Sequence, residues 1–212
     1  MSARIALFLH QPRCSIQCGN AMMMALESHY KFKIFTKHEV EDDFFDDVDM
    51  VAFPGGDGDA ASFSYLLRSN GEAVKRYLDN GGRYLGICMG AYWAGSEYFD
   101  ILDSVDAPQY IVQPGTDTRR PHTKAIQVTW QNQPERMFFY DGCSLLGDSN
   151  NFETIATYSN GDPAAIIQKN IGVIGPHPES DIYWYKKKFL KPYWHEYRHH
   201  TLLLKFVKRL MR

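Results

Sequence analysis

Apolar positions in the first half of the chain gather in short unbroken runs, and longer amphipathic stretches separate them. Arg4-Ile5-Ala6-Leu7-Phe8-Leu9 is such a run, the mark of a strand buried on both faces. Lys31 to Phe35, Asp49 to Phe53 and Arg83 to Ile87 are read as three more strands. Residues 15 to 29 carry Met22, Met23 and Leu26 at helical spacing, with Ser15 as the cap. One or two helices follow Pro54-Gly55-Gly56, the clearer being Glu72 to Leu78, stopped by Asn80-Gly81-Gly82, and the acidic run from Glu41 to Asp47 reads as a solvated helix face or loop. The order β-α-β-α calls for a parallel sheet with helices on both faces.

The pattern changes after the middle. Ala125 to Trp130, Arg136 to Tyr140, Thr154 to Tyr158 and Ala164 to Gln168 are strand-like, with turn-rich stretches such as Ser159-Asn160-Gly161-Asp162-Pro163 between them. Ile171 to Gly175 is one more apolar strand. From His199 to Arg212, Leu203, Phe206, Val207, Leu210 and Met211 recur at helical spacing, as in a helix that packs on the sheet. The expected fold is α/β: a doubly wound, mostly parallel sheet flanked by helices, with extra antiparallel strands in the second half. Residues 1–212 are expected to form a single domain, long enough to bury roughly 70% of the unfolded surface.

Composition narrows the picture only slightly. At 44% hydrophobic and 23% charged residues, the chain can hold a core without disulfides or metal, and a net charge of −2 names no partner. The four cysteines (Cys14, Cys18, Cys88, Cys143) form no Cys-x-x-Cys pair. Cys14 and Cys18 could share a helix face, yet no neighbouring His or Cys completes a metal site, so they read as reduced structural thiols and no metal is expected. The N-terminus is too weakly basic and too briefly apolar for a signal peptide. No stretch approaches the roughly 20 residues of a membrane span. A cytoplasmic protein without membrane contact is therefore expected.

Charge is uneven: residues 183–212 hold nine of the 23 Lys and Arg but one acid, Glu196. Lys186, Lys187, Lys188, Lys191 and Arg198 stand among Tyr183, Trp184, Tyr185, Tyr193 and Trp194, a pattern suited to stacking and phosphate contacts with nucleic acid. A loop crossing the edge of an active site, followed by a helix, accounts for the same residues, and nucleic acid is not the expected partner.

In a doubly wound sheet, ligands gather beyond the carboxyl ends of the strands. Four segments end their strands conspicuously: His10-Gln11, Gly55-Gly56, Cys88, and His177 with Glu179. Gly86-Ile87-Cys88-Met89-Gly90 has the form Gly-x-nucleophile-x-Gly, a sharp strand-to-helix turn. The glycines clear space beside the reacting atom, and a helix N-terminus just after Cys88 would favour its thiolate. His177 and Glu179 are one residue apart, so in a segment kept extended by Pro178 they point to the same side, where Glu179 could orient an imidazole base. The Pro54-Gly55-Gly56 turn brings backbone N–H groups near a ligand, and one of them with the Met89 N–H could hold an oxyanion. Each signal alone has an ordinary structural reading; together they point to one site. His10, Gln11, Asp57, Asp59 and Tyr92 are candidates to line its pocket.

FPGGDGD (53–59), YLDNGGRYLGICMGAYWAG (77–95), FFYDG (138–142), IATYSNGDPAAIIQKNIGVIGPHPES (155–180) and the terminal LLLKFVKRLM together resemble the class I glutamine amidotransferase-like superfamily, flavodoxin-like in fold. Within it the sequence is similar to the N-terminal domain of eukaryotic-type biotin–protein ligases, which also occurs as a free-standing protein. The resemblance implies Cys88 as nucleophile, His177 as base and Glu179 as its orienter, with backbone N–H groups of Gly56 or Gly55 and of Met89 as oxyanion donors. It implies a cysteine-dependent amidase or amidotransferase-like hydrolase acting on a small amide, with no cofactor and with a partner synthase or ligase left open.

Two departures bound that inference. Glutamine-hydrolysing relatives usually carry Gln four residues after the nucleophile, where this chain has Tyr92. Nothing resembles the biotin-binding motif of the ligase domain, so no ligase activity is expected. A non-catalytic binding or regulatory module of the same fold is the alternative. A peptidase ranks last, because such relatives more often place His directly after the cysteine, where Met89 stands. Neither the substrate nor the oligomeric state is fixed by the sequence.

Overall fold

A computed structural model describes residues 3–9, 15–39, 43–56 and 64–212, with residues 64–70 described by backbone alone. Among them, nine strands form one sheet. Its first half is parallel: β1 (Arg4–Phe8) lies between β2 (Lys31–Phe35) and β3 (Met50–Phe53). β4 (Tyr84–Ile87) pairs with β3, and the late strand β11 (Ile171–Ile174) pairs with β4. The inner strands β3, β4 and β11 are buried at every residue, which their continuous apolar runs require.

The second half is antiparallel and built from hairpins. β6 (Lys124–Trp130) and β7 (Gln133–Phe139) are joined by Gln131 and Asn132, both at positive φ, the two-residue turn whose twist suits a hairpin. Pro134, which cannot donate to a ladder, sits on the edge strand β7. β9 (Glu153–Tyr158) and β10 (Pro163–Gln168) carry the sheet back to β11, while β5 (Val105–Asp106) and β8 (Leu146–Gly147) pair separately. Across the large sheet the order is β2-β1-β3-β4-β11-β10-β9-β6-β7.

Helices cover both faces. α1 (Ile16–Leu26), capped by the Ser15 side chain, buries Met22 and Leu26 on one face together with Leu203, Phe206, Val207 and Leu210 of α4 (Arg198–Leu210). On the other face α2 (Ser64–Asp79) brings Val74 and Leu78 into a cluster with Phe8, Phe53, Trp93 and Phe99. α2 begins eight residues earlier than the sequence pattern places it.

The acidic run is only partly solvated. Glu41 and Asp42 lie outside the described residues, and Asp43 to Asp47 form a turn pinned by Phe45. The Phe45 ring meets Phe35 and Tyr77 at centroid distances of 5.7 and 5.1 Å, while Asp43, Asp46 and Asp47 are exposed around it. Charge marked the solvated side of this turn, and the buried ring holds it in place. No helix among the described residues is long and apolar enough to cross a membrane.

Candidate functional site

β1, β3, β4 and β11 are parallel neighbours, so their carboxyl ends open on one edge of the sheet. β4 delivers Cys88 there. Its N–H donates to the Ile174 carbonyl at 2.8 Å, extending the β4–β11 pairing by one residue before the chain turns. The turn is sharp: Cys88 has φ 53° and ψ −106°, a conformation that costs a non-glycine residue about 1–3 kcal/mol. The flanking glycines permit it. A Cβ on Gly86 would strike the Gly90 carbonyl, and one on Gly90 would strike the Phe53 carbonyl of β3. The helix that follows was expected to help activate the thiol, but α3 (Met89–Trp93) has only five residues and a correspondingly small dipole.

The candidate base is His177, just past the end of β11. Its backbone N–H donates to the Phe138 carbonyl at 2.9 Å, and its carbonyl accepts from Ser180 N–H at 3.2 Å. Pro178 and Glu179 therefore form the centre of a tight turn, with Pro at the position whose φ it favours. The expectation of an extended His-Pro-Glu segment is corrected, although its consequence survives: His177 Nδ1 and Glu179 Oε1 are 2.7 Å apart. Glu179 is fully buried, and with its carboxylate ionised the ring donates from Nδ1. The rings of Phe138 and Trp184 stand edge-on to the imidazole at 5.9 and 5.3 Å and restrict its plane.

Cys88 and the His177 ring face the same cleft, and the Cys88 sulfur donates to the Asp141 carbonyl at 4.0 Å. Burial by itself would pull the His177 pKa down, but Glu179 and then the Cys88 sulfur oppose it and push it up to about 10. The site thus favours a proton on His177.

Cys88, Met89, Gly56, Tyr92 and His177 line one open cleft of about 1520 Å³. Met89 is the first residue of α3, a position whose N–H has no acceptor within its own helix. Gly56 borders the cleft. Gly55 sits behind it, where its carbonyl accepts from Ser15 N–H and where an added Cβ would lie 2.8 Å from His177 Cε1 and 2.9 Å from Cys18 Sγ. Tyr92 donates its O–H to the Asp141 carbonyl at 3.3 Å, and burial, with Cys143 and Asp141 nearby, raises the phenol pKa far above its usual range. His10, Gln11, Asp57, Asp59 and Cys14 lie outside the described residues.

Two features escaped the sequence. Asp141, held at Oδ2 by Gln109 Nε2 at 2.8 Å, faces the cleft with burial raising its pKa and with Oδ1 unbonded among the described residues. Cys18 reads from sequence as a structural thiol with no metal-ligand neighbours. In the structure it is buried in α1 but reaches the cleft, and ligand atoms of Cys18, His177 and Glu179 all lie within 4.8 Å of one another. Cys18 stands near one end of the chain and its two neighbours near the other, so no local spacing could have revealed the cluster.

Residues 11–104 match the family described as biotin-protein ligase, N terminal. No curated protein matches the chain. Solved structures do. PurLQS from Thermotoga maritima superposes with a TM-score of 0.69 at 15% identity, covering 99% of this chain and 100% of the other. A glutamine amidotransferase from the same organism gives 0.70 at 12% identity, covering 100% and 99%. A putative GMP synthase component from Thermoplasma acidophilum gives 0.63 at 12%, again covering 100% and 99%. The chain thus has the fold of the glutamine amidotransferases on which it superposes, and over residues 11–104 it is similar to the N-terminal region of biotin–protein ligases.

Proposed function

We propose that the protein is a cysteine-dependent hydrolase of amide C–N bonds, with Cys88 as nucleophile, His177 as its base and Glu179 as the group that orients the base. The observation that carries this reading is the strained turn at Cys88, kept by two glycines that backbone contacts make obligatory, directly beside a His177–Glu179 pair. A buried cysteine that only filled space would need no such geometry.

The steps follow from the atoms at hand. Cys88 passes its proton to His177 Nε2, and Glu179 stabilises the resulting imidazolium through Nδ1. The thiolate attacks the carboxamide carbon, and the oxygen takes up negative charge beside the Gly56 turn and the N–H of Met89. The C–N bond breaks as His177 returns the proton to the departing nitrogen, leaving a thioester on Cys88. Water, deprotonated by the same imidazole, then releases the acid and restores the thiol. A small amide is the substrate class. Because the site has Tyr92 where glutamine-hydrolysing relatives usually have Gln, free glutamine is not the favoured member of that class. One fold relative is named as part of a synthase, and by that likeness the nitrogen released here would be passed to a partner synthase or ligase.

Ammonia release from a panel of carboxamides tests the proposal. Wild type should turn over at least one of them, and C88A and H177A should lose the activity while retaining the fold. Tyr92, which lines the cleft and is bonded to the Asp141 carbonyl, also favours a second reading, a binding module without turnover. Binding of a panel member with no ammonia released by wild type, and equal affinity in C88A, would select that second reading and reject the first.

A further inference from the structure

Amide hydrolysis by Cys88, His177 and Glu179 leaves the neighbouring Cys18 unexplained. We propose that Cys18, His177 and Glu179 form a capture site for a thiophilic divalent cation, Zn²⁺ being the ion whose preferences the donor set meets. One thiol, one imidazole and one carboxylate suit a borderline-soft ion and do not suit magnesium or calcium, which favour oxygen throughout.

Three observations support the site. The ligand atoms lie within 4.8 Å of one another, whereas a tetrahedral zinc with bonds of about 2.0–2.3 Å holds such atoms roughly 3.3–3.8 Å apart, so shifts of about an ångström close the site. Glu179 is 0% exposed, yet its Oε2 has no hydrogen-bond partner among the described residues. A buried carboxylate oxygen with unused lone pairs is costly, and a cation satisfies it. Gly55 keeps the space open, since a Cβ there would press on both His177 Cε1 and Cys18 Sγ.

On binding, the Cys18 S–H proton leaves to solvent and its sulfur donates to the metal, as do one ring nitrogen and one carboxylate oxygen. Cys18 borders the cleft, so water supplies the fourth ligand. An imidazole bound to metal no longer serves Cys88. The expected consequence, slower alkylation of Cys88 in the presence of zinc, rests on the proposed roles of Cys88 and His177, whereas metal binding itself does not.

The full chain, freed of metal, would be titrated with Co²⁺, and with Zn²⁺ against a chromophoric chelator. One ion per chain should bind, the cobalt form should show thiolate-to-metal charge-transfer absorption, and C18A should lose that absorption with at least a tenfold fall in zinc affinity. G55A, which leaves every ligand in place but fills the space between them, should weaken binding as well. C88A should bind zinc like wild type, so an inactive enzyme and an empty metal site give different results. Absence of stoichiometric binding, or charge-transfer absorption undiminished in folded C18A, overturns the site.

Discussion

The turn at Cys88 depends on two opposite demands at single residues. Cys88 stands where a glycine would be more comfortable, and Gly86 and Gly90 stand where nothing larger fits. C88G should therefore raise stability by about 1–2 kcal/mol while abolishing thiol chemistry, a trade expected of a strained functional residue. Urea unfolding of the two proteins checks this, and a less stable C88G would show that the turn stores no strain. H177A addresses the partner. Cys88 should react with iodoacetamide faster than Cys143, whose thiol burial pushes far up, and should lose at least tenfold in rate without His177. E179Q keeps a group of the same size at Nδ1 but removes the charge that raises the His177 pKa, so its labelling rate should fall between the other two. Mass-spectrometric assignment of the label separates Cys88 from Cys18, which shares the neighbourhood. Identical rates at Cys88 in wild type and H177A would remove His177 from the site's chemistry.

At the level of elements, the legible parts were those written in continuous stretches of chain. The apolar runs of β1, β3, β4 and β11 named both the strands and their burial, and the ends of those strands named the edge where Cys88 and His177 meet. α4 was equally plain, because its apolar residues recur at one helical face. What stayed hidden depended on contacts across the fold. The start of α2 has too little apolar periodicity to mark it, the His177–Glu179 turn is closed by a backbone bond that Pro178 alone does not dictate, and Cys18 becomes part of the site only when α1 docks near the end of β11. That docking is shared: α1 packs with α4, and Phe206 and Leu210 of α4 rest on Gly172 of β11, two residues short of the strand's end. F206A should cost about 3–5 kcal/mol in chemical denaturation. Because α4 also holds the segment after His177, through the bond from His200 to the Ser180 carbonyl, the variant should slow Cys88 labelling under conditions where the protein remains folded. A loss below about 1 kcal/mol, far under the usual cost of truncating a buried ring, would mean that the helix is an accessory to the sheet.

Across the whole molecule, one buried histidine ties the site to the acid stability of the fold. His195 is 7% exposed, stacks on His199 at 4.0 Å and brings Nε2 to the Ser180 carbonyl at 3.2 Å. Its Nδ1 accepts from the His199 backbone N–H at 3.4 Å. Nε2 therefore carries the hydrogen and Nδ1 the lone pair, and protonating Nδ1 would break a bond in a buried space that already faces Arg198. Burial, followed by His199 and His200, accordingly lowers the His195 pKa to about 3. In the unfolded chain the same group titrates near 6.5. Between those values the unfolded state binds the extra proton, so stability falls as the pH drops below about 6.5 and continues to fall until about 3. The Ser180 carbonyl also accepts from His200 Nε2 at 3.1 Å, and Ser180 directly follows Glu179, so the two rings anchor the turn that carries Glu179. Thermal unfolding of wild type should therefore show a midpoint that drops from about pH 7 to about pH 5, while Cys88 labelling of the folded protein keeps its His177 dependence, because folded His195 takes up no proton in that range. H195N, which can still donate to Ser180 but takes up no proton, should have the shallower pH profile. If H195N and wild type lose stability in parallel, the acid sensitivity lies in other groups, among them His199, whose pKa burial likewise lowers to about 3, and not in this histidine.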